Sequence, residues 1–157
     1  MRVALVFALC LLTGVCAASN YRDIQRAVSD DQLLQSAGVA PADAQLRKQC
    51  SAAVVESDDP PEFFDCVYVQ TDKDLNLFSL EDGYLMSELQ LKLHNMDGVA
   101  LQHMGRVSQV QIFSHDRVTA LYIHNKSWID TAQTESVYRW LTDHGVPVRE
   151  PRSWIGP

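Results

Sequence analysis

The stretch VSQVQIFSHDRVTALYIHN, residues 107–125, decides how the chain is read. Val107, Val110, Val118, Leu121 and Tyr122 recur at helical spacing. The same residues are also β-branched and alternating, and Ser114-His115-Asp116 would serve as a hairpin turn. Both readings stand at this point, with the helix preferred.

Outward from that stretch, helical spacing recurs. Residues 20–36 place Ile24, Ala27 and Val28 on one side, with Leu33 and Leu34 beyond and Gly38 as a stop. Residues 41–55 open on Pro41 and align Leu46, Cys50, Ala53 and Val54. In SDDPPEFFDCVYVQTDKD, Asp59 suits an N-cap, Pro60 the first helical position and Glu62 a capping box. Phe63, Cys66 and Val67 then share a face. NLFSLEDGY reads as a turn centred on Asp82-Gly83. Leu85, Leu89, Leu93 and Met96 mark another helix over 84–96. A last helix spans 131–144, with Val137, Trp140 and Leu141 on one side and Gly145 and Pro147 ending it. The sum predicts an all-α fold, a compact bundle of about six helices with room for an internal cavity.

MRVALVFALCLLTGVCAA reads as a secretory signal over residues 1–18, too short for a membrane span. It leaves a single domain over 19–157. Losing Arg2 leaves 12 basic against 20 acidic residues, a net of −8. That argues against nucleic acid as a partner and against membrane insertion or an anionic membrane surface. Cys10 and Cys16 leave with the leader. Cys50 and Cys66 remain as an even pair in an oxidising compartment, so one disulfide is expected. Its loop of about 15 residues gives roughly 3 kcal/mol by chain entropy.

Three blocks carry a family resemblance: LRKQC (46–50), EFFDCVYVQTDKDLNLFSLEDGYLMSELQLKL (62–93) and DTAQTESVYRWLTDHG (130–145). Together they resemble the insect odorant-binding protein superfamily. The short gap from Cys50 to position 62 is similar to its salivary amine- and lipid-binding relatives. The resemblance implies that Cys50 and Cys66 stand for the family's first and third cysteines, which pair. Glu62 stands at the second, Leu121 or Tyr122 near the fourth, and Thr131 and Trp140 at two more. Tyr122 packed on Trp140 would then replace a lost bridge. A hairpin over 107–124 would be incompatible with the resemblance.

The function expected on that basis is a secreted, extracellular carrier of a small hydrophobic or amine ligand. The alternative is a secreted interaction protein, of salivary or seminal-fluid type, on the same shell without a cavity, with a receptor or another secreted protein as partner. Leu89, Leu93, Met96, Leu101, Met104, Tyr122, Val137, Trp140 and Trp154 are the candidate pocket lining, each equally suited to plain core packing. Trp154 would cap a pocket mouth or anchor the terminus. The histidines show no metal-ligand spacing, no metal or cofactor is expected, and no catalytic motif is present, so no enzyme is expected. His115-Asp116 reads as a solvated turn. Asn125-Lys126-Ser127 is a glycosylation sequon and predicts exposure of Asn125.

Overall fold

A computed structural model describes residues 46–57, 59–81, 84–125 and 128–155, with the side chains of 46–48, 79–81, 84–88, 125 and 128 outside the description. The leader over 1–18 and the helix expected over 20–36 lie outside these residues. So do the side chain of Asn125 and the rest of its sequon.

Among the described residues the fold is a curled antiparallel sheet with one helix, not an all-α bundle. The strands are β1 (Leu46–Glu56), β2 (Glu62–Gln70), β3 (Asp74–Glu81), β4 (Tyr84–Lys92), β5 (Gly98–Met104), β6 (Val107–Ser114), β7 (Arg117–Asn125) and the short β8 (Trp128–Ile129). Helix α1 spans Thr131–Asp143. The sheet order is β4-β3-β2-β1-β7-β6-β5, with β8 pairing the end of β7. β1 is the long shared strand: Leu46–Val54 pairs β2 on one edge and Gln49–Glu56 pairs β7 on the other.

The stretch 107–125 is a hairpin. β6 and β7 pair from Val110↔Leu121 to Ser114↔Arg117, with His115 and Asp116 as the two turn residues. His115 has φ 53°. Its backbone N–H donates to the Asp97 carboxylate, which offsets the unfavourable left-handed conformation. The helices expected over 41–55, as far as that stretch is described, after Asp59 and over 84–96 are strands β1, β2 and β4, the last followed by a 3-10 turn at Leu93–Asn95. Asp59 and Pro60, expected to open a helix, lie in the β1–β2 connection, and Glu62 begins β2. With a hairpin and a sheet where the helical carriers have helices, the resemblance to odorant-binding proteins does not hold.

The concave face carries the main core. Cys50, Ala52, Cys66, Tyr68, Leu75, Leu77, Leu91, Val99, Val110, Ile112, Leu121 and Ile123 point into it from seven strands. Helix α1 closes it by inserting Val137 and Leu141, both essentially unexposed. Burial of each such side chain contributes about 1.5–3 kcal/mol. Cys50 and Cys66 sit directly opposite each other in the β1–β2 register and form a disulfide, Cα–Cα 4.9 Å.

Helix α1 is well delimited. The Asp130 side chain accepts from Gln133 N at 3.0 Å, a normal N-cap. At the other end Gly145 takes φ 83° and Val146 N reaches back to Leu141 O at 3.1 Å. That is a Schellman closure, which needs the left-handed residue that glycine supplies without strain. The turn sends the chain back along the sheet. Val99 N donates to Pro147 O and Arg149 N to Val99 O, so the tail begins as a parallel bridge on the β5 edge.

Candidate functional site

Two clusters look at first like catalytic sets. On the convex face Ser51 (β1), Asp65 (β2) and His124 (β7) meet because neighbouring strands put them side by side. Ser51 Oγ donates to Asp65 Oδ1 at 3.0 Å and lies 2.8 Å from His124 Nε2. A hydroxyl has one proton. With that proton on the carboxylate, the imidazole must be the donor to Oγ. Nucleophile activation requires the opposite, an imidazole that takes the hydroxyl proton. Burial holds His124 below its ordinary pKa, partly opposed by the charge of Asp65. In this arrangement the cluster ties three neighbouring strands together.

The second cluster repeats this order. His103 Nδ1 lies 2.8 Å from Ser108 Oγ, which donates to Glu135 Oε1 at 3.2 Å. Arg139 Nη1 comes within 3.8 Å of Glu135 one turn on. The hydroxyl again sits between imidazole and carboxylate, here tying α1 to the sheet. Among the described residues no three His, Cys, Asp or Glu side chains gather as a metal site would need.

An open groove of about 260 Å³ lies between the end of β4 and the β6–β7 turn. Its charges are mixed. Lys92, Asp116 and Arg117 all line it, and Arg117 Nε donates to Glu56 Oε1 at 2.7 Å. His115 lies beside Asp97, 3.7 Å away.

The fourth place is the convex face of β5–β7, and it is the most fully built. Residues 109 and 111 point outward on β6, and both glutamines are fully buried because the C-terminal segment lies across them. Gln111 Nε2 donates to Arg152 O at 3.2 Å, and Arg152 N donates to Gln111 Oε1 at 2.8 Å. Gln109 Nε2 donates to Ile155 O at 2.6 Å and Gln109 Oε1 accepts from Ile155 N at 3.4 Å. Gln111 also donates to Gln109 Oε1 at 2.9 Å, which orients both amides. The two side chains thus act as peptide groups of a strand edge, one donor and one acceptor each. Tyr122 adds a hydroxyl donor to Ile155 O at 2.5 Å, and its ring meets Trp154 at 5.3 Å between centroids. Burial raises the Tyr122 pKa, with the Gln109 hydrogen bond acting the other way. Upstream, the Arg149 guanidinium sits 4.5 Å from the centre of the Phe113 ring. Its stem fills the space where a Cβ on Gly98 would stand, 2.1 Å from Cδ.

The candidate pocket residues divide between these surroundings. Met96 and Val137 belong to the concave core, and Leu89, Leu93, Leu101 and Trp140 pack against it. Met104 is half exposed. Tyr122 lies on the opposite face against Trp154, while Trp140 meets His144 at 4.5 Å. The expected Tyr122–Trp140 contact is therefore absent, and Trp154 is a terminal anchor. Sequence reasoning missed Gln109, Gln111, Ser51, Asp65 and Arg149. Its pointers to the convex face were Tyr122 and the tryptophan in the tail PRSWIGP.

No known family's sequence profile matches the chain, and no curated protein does. Among solved structures the chain is similar to the hSac2 domain of the human phosphoinositide phosphatase Sac2, at 13% identity and TM-score 0.46. That match covers 81% of this chain and 90% of the other. It is also similar to the DH/PH domains of p115-RhoGEF, at 13% identity and TM-score 0.40, over 86% of this chain and 42% of that one.

Proposed function

We propose that the chain is a secreted interaction protein that works through its surface, and neither encloses a small hydrophobic or amine ligand nor turns over a substrate. One observation carries this reading. Six of the nine residues that would line a carrier's cavity lie in or against a single packed core, together with the disulfide and α1. A carrier needs those side chains to border free volume. The order of hydrogen bonds in both serine–histidine–carboxylate clusters supports the non-catalytic half. The acidic balance, net −8 without the leader, favours another protein as partner over nucleic acid or a membrane surface. The test is titration of refolded residues 19–157 with a fluorescent apolar probe, then with amines and fatty acids as competitors. No saturable site is expected. A one-to-one site emptied by either competitor would overturn the reading.

A further inference from the structure

We propose that the convex face around Gln109, Gln111 and Tyr122 is a binding site for extended polypeptide, that the chain fills it with its own C-terminal segment, and that the partner it fits is the same segment of a second copy. The inference rests on the reading that the chain acts through its surface.

Most of the contacts that hold the segment are made to its backbone. The amide pair of Gln111 takes the N–H and C=O of residue 152, and that of Gln109 takes those of residue 155. Val99 does the same with Pro147 O and Arg149 N. Three successive backbone-reading stations therefore run from the β5 edge across β6. This is strand addition with side-chain amides in place of a strand edge. Two side-chain seats give selectivity: the Phe113 ring for a cation and the Tyr122 ring for an aromatic. Arg149 and Trp154 occupy them at the required spacing.

The site is on the strands, and the covalent link to it is short. After Val146, which is locked into the helix cap, the segment is held by these stations, by the two seats, by the Tyr122 hydroxyl and by Ile155 in the apolar cluster with Ala53, Ala100 and Phe113. The same segment from a second copy makes identical contacts. A tethered segment competes at an effective concentration of about millimolar, so one chain closes on itself when dilute and exchange appears when chains are concentrated. Pro147 and Pro151 stiffen the segment in an extended form, which lowers the ordering cost of binding between chains.

The test cuts the link after folding, so that the tail is present while the chain folds. A protease site is inserted between Val146 and Pro147, and the purified protein is cleaved. A fluorescent synthetic peptide of residues 147–157 should then exchange into the cut protein as a saturable one-to-one complex, but not into the uncut chain at low concentration. Trp154→Ala in the peptide, which cannot affect folding, should weaken binding at least about tenfold, and Gln109→Ala with Gln111→Ala in the protein at least as much. Refolding of the full chain at high concentration should yield a dimer that the double glutamine variant does not form. A cut protein that never takes up the peptide, or a full chain that stays monomeric at every concentration, overturns the proposal. Neither result bears on the small-ligand titration, so the two readings fail separately.

Discussion

Replacing Gln111 with alanine tests whether the tail is part of the folded unit. The amide makes three hydrogen bonds: to Gln109 Oε1, to Arg152 O and from Arg152 N. Each is worth about 0.5–1.5 kcal/mol net. Arg152 is exposed, so water can take over its two backbone groups once the segment lifts. The buried Gln109 carbonyl has less access to replacement. The balance is a loss of about 1–3 kcal/mol, which at an m-value of about 1–3 kcal/mol/M moves the urea midpoint by roughly 1 M. Gln102→Ala is the internal control. Gln102 faces the same side from β5, is partly exposed, and bonds the neighbouring His103 carbonyl at 3.2 Å. It should cost no more than about 0.5 kcal/mol. Hydrogen exchange at Arg149, Arg152 and Ile155 should accelerate in Gln111→Ala and not in Gln102→Ala. Equal midpoints for the two variants, with unchanged exchange in the tail, would refute the account of the convex face.

The remaining predictions address the concave core, the cross-link, one titrating group and one orphan amide. Leu141→Ala should cost about 2–5 kcal/mol, because Leu141 is unexposed in the core under α1; a loss under about 1 kcal/mol by urea unfolding would mean the helix does not plug the sheet. Replacing Cys50 and Cys66 together by alanine should lower stability by roughly 3 kcal/mol relative to the oxidised protein; thiol titration that finds both of these cysteines free in the native protein would refute the bridge. His124 has a pKa lowered chiefly by burial, so the folded state prefers it neutral. Its contribution should be fully present above its unfolded pKa of about 6.5 and be lost as pH falls below that through the folded value. His124→Gln should flatten this part of the stability profile, and an unchanged slope would sink the assignment. Asn76 is fully buried on the convex side of β3, and among the described residues neither amide atom has a hydrogen-bond partner. Asn76→Val should therefore stabilise the chain, by about 1 kcal/mol, and a clear loss would show that the amide is needed.

Some of the fold was legible in the sequence, and the reasons are local. Helix α1 was legible because its stops are chemical: Gly145 supplies the left-handed turn and Pro147 follows it. The cysteine pair was legible because reading residues 1–18 as a leader left only Cys50 and Cys66 to pair. The strands were misread for specific reasons. Leu85 and Leu89 are four apart in β4, and an even spacing keeps residues on one face of a strand as well as of a helix. In β1, Cys50, Ala52 and Ala53 are all buried, since both faces of the sheet are covered there. A strand buried on both sides loses its alternation and reads as a continuous apolar run. Helical spacing can then be picked out of it by choice of residues. The candidate site was less legible still, because glutamine appears in no catalytic or metal pattern, and neither Gln109 nor Gln111 announces its burial.

β6 shows why the deciding stretch was ambiguous. Its concave side carries Val110 and Ile112 against α1, and its convex side carries Gln109 and Gln111 beneath the tail. Every residue from Ser108 to Phe113 is buried. A polar residue alternating with an apolar one normally marks a solvated strand face, and a solvated face would leave these amides in water. Here they are dry, which is tolerable because nearly all of their capacity is met by one another, by Tyr122 and by the tail backbone. The tail is thus a condition for the convex face to be folded as it is, and the glutamines are a condition for the tail to lie there. Neither half has a local sequence signature, because each is a polar segment whose partner is more than 40 residues away.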